Sequence, residues 1–186
     1  NQATGTIDTR FPKIAEYVDC AVSDGSGGWF VSGDFTAIAG VSRPKLAHLH
    51  SDGTLVLAWN PGIGGEGITC LVLDGSSLYL GGGVLGGGGV TRNGISKLDK
   101  TTENLSNCNP NISGGIVKVI TVSATTVFCG GSFNSVGGQA RNHAASVDAA
   151  TGTVTAWNPN TDTDVFAIRV YGSSVYLGGM FSTVGG

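Results

Sequence analysis

An arginine that recurs at a fixed spacing is the first candidate for chemistry in this chain. Arg43, Arg92 and Arg141 lie 49 residues apart. A guanidinium is a planar fork of donors that binds carboxylate or phosphate, so equivalent arginines could ring an anionic ligand. The same fork can hydrogen-bond backbone carbonyls or a carboxylate between neighbouring repeats. We favour this structural role, because a residue present in every repeat usually builds the repeat.

Aromatic side chains also recur and are candidates for sugar stacking. They form two sets, the tryptophans Trp59 and Trp157 and the strand residues Phe30, Tyr79, Phe128 and Tyr176. Aromatics at a fixed place in each repeat are more often part of the core. We therefore predict that both sets pack between repeats.

Two short clusters have the residue types of metal ligands. His48 and His50 stand two apart, which places them on one face of a strand, but no third ligand follows at a suitable spacing. Asp162 and Asp164 could hold calcium with nearby carbonyls, although the stretch lacks the glycine and closing glutamate of an EF-hand loop. We predict no metal site at the histidines and ordinary turn chemistry at the aspartates, with calcium as the alternative there, and we expect no other cofactor.

Catalytic constellations are not apparent in the sequence. No Gly-x-Ser-x-Gly elbow occurs, and the three glutamates, Glu16, Glu66 and Glu103, lie in variable turns and form no visible acid/base pair. Asn104 and Asn111 begin glycosylation sequons, which have meaning only in a secretory host. We assign no catalytic residue.

The four cysteines leave two alternatives. An even count in an extracellular protein suggests disulfides. Cys108 and Cys129, however, stand where other repeats have Trp and Leu, so they resemble buried substitutes. Cys20 and Cys70 are one residue out of repeat register, which predicts that they face opposite sides of their strands. We expect four free or partly paired thiols.

The elements that position these residues follow the same 49-residue period. One strand of each repeat is clearest, and it reads WFVSGDF at 29–35, LYLGGGV at 78–84, VFCGGSF at 127–133 and VYLGGMF at 175–181. Each run contains a pair of small residues, such as Gly130-Gly131. Glycine inside a strand indicates a bulge or a close backbone approach.

Three further strands are expected in each repeat. One precedes the clear strand, as in GITCLVLDG, and one follows the arginine, at 45–50, 94–99 and 143–148. A fourth ends at the Asn-Pro turn. Four hairpin-connected strands make one antiparallel sheet, which can bury its faces only against other sheets. The sequence therefore predicts an all-β fold, a β-propeller of four-stranded antiparallel blades, with a β-solenoid as the alternative.

The repeat resembles a known family. The pattern Gly-Gly-x-Phe-x-x-Val-Gly-Gly, followed by Arg, DAATGTVTAWNP and VYLGG, is similar to the delta-60-type β-propeller repeats of large secreted or cell-surface bacterial proteins. The similarity covers almost the whole chain. It implies a propeller fold and an extracellular setting, and it implies no catalytic residues. One repeat departs from the pattern, with Cys108 in place of Trp, and we expect looser packing of its outer strand.

The chain limits are read from the same register. We expect residues 1–186 to form a single β-propeller region of about four blades, with partial blades at both ends. When the repeats are aligned, the chain begins at the end of a third strand. A circle of four complete repeats would need nine more residues, equivalent to positions 139–147. We expect a segment of a longer chain, and the alternative is a four-bladed propeller with one incomplete blade.

Composition limits the partners. Charged residues are 12% of the chain, about half the usual share, and the net charge of −3 with no basic stripe argues against a nucleic-acid partner. No apolar run is long enough for a membrane span. Low charge with abundant Ser, Thr, Asn and Gly is common in extracellular β proteins, so we expect an extracellular or cell-surface location.

These observations lead to one favoured function and two alternatives. The favoured function is a non-enzymatic structural or interaction protein, surface, adhesive or filament-forming, whose partners are proteins or further copies of itself. Its contacts should use strand edges and the variable loops 62–67 and 160–164. A glycan-binding propeller, or lectin, is the first alternative. An enzyme with polar residues gathered at a central channel is the second.

Overall fold

The computed structural model of the chain describes residues 4, 6, 9, 12, 14, 16–87 and 89–185. The described part is all-β. The expected opening of the chain at residues 1–5 lies, apart from Thr4, outside the described residues. In chain order the strands are β1 (Val18–Ser23), β2 (Trp29–Gly33), β3 (Ala37–Ile38), β4 (Val41–Ser42), β5 (Leu46–Leu49), β6 (Gly64–Gly65), β7 (Ile68–Asp74), β8 (Ser77–Gly87), β9 (Val90–Asp99), β10 (Ile112–Ser113), β11 (Val117–Ser123), β12 (Thr126–Gly131), β13 (Ser135–Val136), β14 (Gln139–Ala140), β15 (Ala144–Asp148), β16 (Val165–Tyr171) and β17 (Ser174–Gly179).

The strands form small antiparallel sheets, one main sheet in each repeat. Their orders are β1-β2-β5, β7-β8-β9, β11-β12-β15 and β16-β17. Beyond the bulge, β3–β4 is a separate two-stranded hairpin, and β13–β14 is a hairpin to which β10 adds a third strand. In the second repeat the glycine-rich run lets this hairpin merge with β8 and β9, which are the longest strands.

The small-residue pair marks a bulge in every repeat, as predicted. In the third repeat, the register of the ladder shifts between Val117 and Val119, opposite the pair Gly130-Gly131. Equivalent shifts occur in the other three sheets. A Cβ on Gly131 would lie 2.0 Å from the carbonyl oxygen of Ile116. Only glycine allows the two backbones to approach this closely.

The predicted fourth strand is the main correction to the expected blade. In the described residues it makes only single bridges, Leu49 to Leu55, Leu98 to Leu105 and Val147 to Val154. The backbone then turns away from the sheet. In the first repeat, for example, Val56 N donates to His48 O and Trp59 N already donates back to Val56 O. The main sheets are therefore two- or three-stranded, except in the second repeat, where the short strand β6 pairs with β8 as a fourth strand, and none of the sheets is closed.

The core lies between successive sheets. The first strands pack in chain order, β1 on β7, β7 on β11 and β11 on β16. One cluster joins Phe30 and Trp59 of the first repeat to Leu71, Leu78 and Leu80 of the second. A second cluster joins Tyr79 to Val117 and Val127 of the third repeat in the same way. Each of the two middle sheets buries one face against its predecessor and the other against its successor.

None of the described residues belongs to a helix of the length and hydropathy needed to cross a membrane.

Candidate functional site

The repeated arginines hold the outer segment of each repeat against its sheet. Each guanidinium donates from Nη1 to the carbonyl of the preceding residue and from Nη2 to a carbonyl 14 residues further along the chain. The distal acceptors are Leu57 O, Ser106 O and Thr155 O. These bonds fix the segment that makes only one ladder bridge. A structural role for the arginines is thus confirmed, but the prediction that they act between neighbouring repeats is wrong, because both acceptors lie within the same repeat.

The aromatic sets are core in the inner repeats. Phe30, Trp59 and Tyr79 are 1%, 4% and 2% exposed, so their faces are not available for stacking on a sugar. Phe128 and Trp157 meet edge to face, with ring centroids 5.1 Å apart. Tyr176, on the last sheet, is 59% exposed. The prediction of core packing is confirmed except at Tyr176.

The tryptophan of the first repeat makes a hydrogen bond that a different side chain makes in the second. Trp59 Nε1 donates to Lys100 O at 2.8 Å. In the next repeat Cys108 stands in place of Trp, and Lys97 Nζ donates at 3.0 Å to Ala149 O, the equivalent carbonyl. Cys108 is buried. Lys97 therefore restores the contact between repeats that the missing indole would have made.

One cluster of polar groups belongs to the first repeat alone, and it is centred on Asp24 and His48. His48 Nε2 lies 2.9 Å from Asp24 Oδ2. The His48 ring stacks on Phe30, with centroids 4.3 Å apart, and meets Trp59 edge-on at 5.7 Å. Lys100 Nζ, from the second repeat, donates to Asp24 O at 3.1 Å. The cluster is fixed by packing on one side and by hydrogen bonds on the other.

The hairpin between β1 and β2 positions Asp24. Its Oδ1 accepts hydrogen bonds from the backbone N–H groups of Ser26 and Gly28, and its Oδ2 accepts from the Ser26 hydroxyl. Burial raises the pKa of Asp24, but the hydrogen bonds from His48, Ser26 and Gly28 outweigh burial and hold the net pKa well below its usual range. Asp24 is therefore a carboxylate at neutral pH and can only accept hydrogen bonds.

Two adjoining cavities open at this cluster. The larger, of about 380 Å³, is lined by Asp24, Ser26, Phe30, His48, Lys100 and Thr101. The smaller, of about 280 Å³, shares His48, Lys100 and Thr101 and adds Val56, Trp59 and Glu103. One cationic side chain, two carboxylates, a ring nitrogen and apolar walls thus meet at one surface depression between the first two repeats.

The histidine pair of the sequence does not form a site. His48 is partly buried at the cluster, whereas His50 follows the end of β5 and is exposed. Within the described ranges, no group of three or more His, Cys, Asp or Glu side chains is arranged to hold a metal ion.

Asp162 and Asp164 bind different partners. The Asp162 carboxylate accepts hydrogen bonds from Ser182 and Thr183, which lower its pKa to about 2, with the Ser182 hydroxyl contributing most. Asp164 instead pairs with Lys118 at 2.6 Å. The predicted turn chemistry is wrong for both residues, because Asp162 joins two segments about 20 residues apart and Asp164 joins the third and fourth repeats.

The glutamates also lie apart, each bound to a different segment. Glu16 accepts from Thr36, Glu66 from Val84 N and Glu103 from Asn60 N.

All four cysteines are free thiols. Cys108 and Cys129 are buried, as predicted, and burial raises the pKa of both thiols, to about 12 for Cys129. Burial also raises the pKa of Cys70 to about 12. These thiols are therefore poor nucleophiles.

The prediction that Cys20 and Cys70 face opposite sides is wrong. Cys20 lies opposite Ser32 and Cys70 opposite Gly81, which are equivalent ladder positions, and each thiol packs towards the following repeat. The cause is the first hairpin, whose loop at 25–27 is one residue longer than the loop at 75–76. The extra residue shifts the numbering and leaves the ladder unchanged.

Sequence reasoning singled out His48 and missed Asp24. The signal was the same lengthened hairpin, where Asp24 is followed by Gly-Ser-Gly-Gly while the other repeats have two-residue turns. A loop that departs from the repeat marks a position that the repeat itself does not require.

Searches of protein-family models, curated proteins and solved structures found no match to this chain.

Proposed function

We propose that this chain is a non-enzymatic structural and interaction module that assembles, through its two end sheets, with further units of the same repeat. In this proposal the sheets are blades of a β-propeller, and the module works outside the cell or at the cell surface. The supports are the low charge, the repeat construction and, above all, the exposure of the end sheets.

The last sheet exposes a face whose equivalents are buried in the first two repeats. Tyr176 is 59% exposed, whereas Phe30 and Tyr79, at the equivalent positions, are 1% and 2% exposed. Phe166 and Met180 are 44% and 71% exposed on the same repeat. We call the surface formed by Phe166, Ala167, Arg169 and Tyr176 the end face. Each inner repeat covers this surface with the sheet that follows it.

The first sheet exposes the opposite surface. Val18 is 45% exposed, whereas the equivalent residues Ile68, Val117 and Val165 are fully buried against the preceding sheet. Ala21 is exposed and Trp29 is 37% exposed beside it. We call Val18, Ala21 and Trp29 the start face.

The end face and the start face occupy positions equivalent to the two sides of an interface already present inside the chain. At that interface Thr121 Oγ1 donates to Ile168 O at 2.7 Å, and Lys118 pairs with Asp164. Val165 and Ile168 fill the apolar centre. A second copy can offer its start face to the end face in the same way. Such a contact is heterologous, so it makes a ring if it closes and a filament if it does not.

Sedimentation velocity of the chain over a range of concentrations tests this proposal. We expect concentration-dependent oligomers, and we expect Tyr176→Glu to weaken association at least about 10-fold, because burial of a large apolar group contributes roughly 1.5–3 kcal/mol. Thr101→Glu, exposed away from both faces, is the matched control and should associate as the unmodified chain does. A strictly monomeric chain with no affinity for itself, for cells or for matrix would overturn the proposal.

A further inference from the structure

The Asp24–His48 cluster is separate from the two end faces. Its members come from the first repeat and from the turn after β9, between two sheets that are already packed together. The equivalent positions in the second repeat hold Asp74 and Lys97, and in the third repeat Ser123 and Ser146. An acid facing an imidazole thus occurs once among the described repeats. The repeat architecture does not explain it.

The contact with Asp24 fixes the proton on His48. A carboxylate only accepts hydrogen bonds, so the ring nitrogen beside it, Nε2, carries the hydrogen of the neutral imidazole. The other nitrogen, Nδ1, is then an acceptor with a free lone pair. No residue in the described ranges hydrogen-bonds to it. Stacking on Phe30 fixes the ring plane, and the lone pair is therefore held in one direction without a protein partner.

The cavity walls limit the chemistry of an occupant. Lys100 offers N–H donors, because its bond to Asp24 O uses only one of three. Glu103 offers an acceptor oxygen, because Asn60 N binds only Oε2. Asp24 adds a second negative charge, but its carboxylate is already held by His48, Ser26 and Gly28. The remaining charges of Lys100 and Glu103 oppose each other, which favours an uncharged ligand over an ion. Phe30, Val56 and Trp59 supply apolar edges.

The volume limits the size of an occupant. Cavities of about 380 and 280 Å³ that adjoin at His48 lie at the small end of the range for ligand sites. The ligand must carry several groups, close together, that can both donate and accept hydrogen bonds. Hydroxyl groups do this, and a pyranose ring displays several of them around an apolar edge.

We propose that the Asp24–His48 cluster is a binding site for an uncharged, pyranose-sized sugar, with a sugar hydroxyl donating to His48 Nδ1. Lys100 donates to a ring or hydroxyl oxygen, and Glu103 accepts from a further hydroxyl. Asp24 acts as a positioning residue that holds the imidazole tautomer. The site is independent of the assembly of end faces, so either proposal can fail without the other.

Nuclear magnetic resonance with a panel of neutral monosaccharides tests the site. The probes are glucose, galactose, mannose, fucose and N-acetylglucosamine, with saturation transfer to the sugar and the ring signals of His48 as the two readouts. We expect at least one sugar to bind and to shift the His48 signals. His48→Leu should weaken that binding at least about 10-fold, since it removes the acceptor.

Two further variants keep the test decisive if His48→Leu folds poorly. His48→Gln retains a side-chain acceptor and should retain part of the binding, and Lys100→Met should weaken it. His50→Leu, just beyond the end of β5 and away from the cluster, is the matched control and should bind as the unmodified chain does. Absence of binding by every sugar, or equal binding by the His48 and His50 variants, would overturn the proposal. Preferential binding of zwitterionic amino acids at His48 would overturn the assigned ligand class.

Discussion

Three buried or half-buried arginines each hold a strand-like segment that has almost no ladder of its own. Arg92 is 9% exposed, and both of its hydrogen bonds go to backbone carbonyls, Thr91 O and Ser106 O. The guanidinium fork suits two divergent carbonyls better than an ammonium does, because its donors are fixed in a plane. Arginine is therefore needed here for geometry as well as charge.

Arg92→Lys should destabilise the fold by about 1–3 kcal/mol, because one of the two charge-assisted hydrogen bonds is lost and a carbonyl is left without its partner. Urea unfolding followed by tryptophan fluorescence measures the change. Arg169→Lys, at an exposed position, is the control and should lie within about 0.5 kcal/mol of the unmodified chain. Equal unfolding midpoints for the Arg92 and Arg169 variants would contradict the role given to the fork.

Asp24 makes the free energy of unfolding depend on pH in the acidic range. Its pKa is lower in the folded chain than in the unfolded chain, so the unfolded chain takes up the proton first as the pH falls. The stabilisation by Asp24 is therefore complete above pH ~5 and is lost progressively below pH ~4. Asp24→Asn should lower the free energy of unfolding at pH 7, and its curve should approach that of the unmodified chain at low pH.

Unfolding curves between pH 7 and pH 3 measure this effect. Thr101 lies at the rim of the cavity beside Asp24 and has no ionisable group. The free energy of unfolding of Thr101→Ala should therefore change with pH as that of the unmodified chain does. A constant difference between Asp24→Asn and the unmodified chain across this range would show that the Asp24 carboxylate does not contribute through its charge.

At the scale of single residues, position in the repeat predicted structural roles well and specific contacts poorly. The 49-residue period predicted structural roles for the arginines and most aromatics, because a residue present in every repeat usually stabilises every repeat. It could not find the Asp24–His48 contact, which joins residues 24 positions apart through one lengthened loop. It also misplaced Cys20, because numbering and ladder position diverge at that loop.

At the scale of strands, the paired small residues set how closely the first two strands of each repeat approach. The second glycine of each pair faces a carbonyl oxygen across the bulge, as Gly82 does with Gly67 O and Gly131 with Ile116 O. A methyl group at either position must displace backbone, which cannot yield as a flexible side chain does.

Gly131→Ala should therefore destabilise the fold by about 1–3 kcal/mol through overpacking. Gly64→Ala is the matched control, since a Cβ there meets nothing within 4 Å and its backbone needs no left-handed conformation. Thermal unfolding by circular dichroism compares the two. Equal melting temperatures for the two variants would contradict the proposal that Gly131 is required by the close backbone approach at the bulge.

The fourth strand of each repeat is shorter than the sequence pattern predicted. Alternating residues and a closing Asn-Pro predicted a full strand, and the apolar positions Leu55, Leu105 and Val154 do make bridges. The chain turns soon after each bridge, and the arginine fork replaces the ladder bonds that a longer strand would make. Periodicity reports which residues face the core, but it does not report how far an edge strand continues.

At the scale of the molecule, the chain is a series of like sheets in which every inner interface repeats the one before it. The first and last described sheets expose apolar side chains, among them Val18 and Tyr176. Exposed apolar patches of this kind commonly mark interaction surfaces. The proposed assembly follows from this repetition, and the sugar site from a departure from it.

A mixing experiment tests head-to-tail assembly most directly. Val18→Glu blocks the start face and leaves the end face intact, and Tyr176→Glu does the reverse. Each variant alone should be monomeric by sedimentation velocity. An equimolar mixture should form a one-to-one dimer and no larger species, because only one competent start face and one competent end face remain. Failure of the mixture to dimerise, while the unmodified chain still associates, would contradict assembly through these faces.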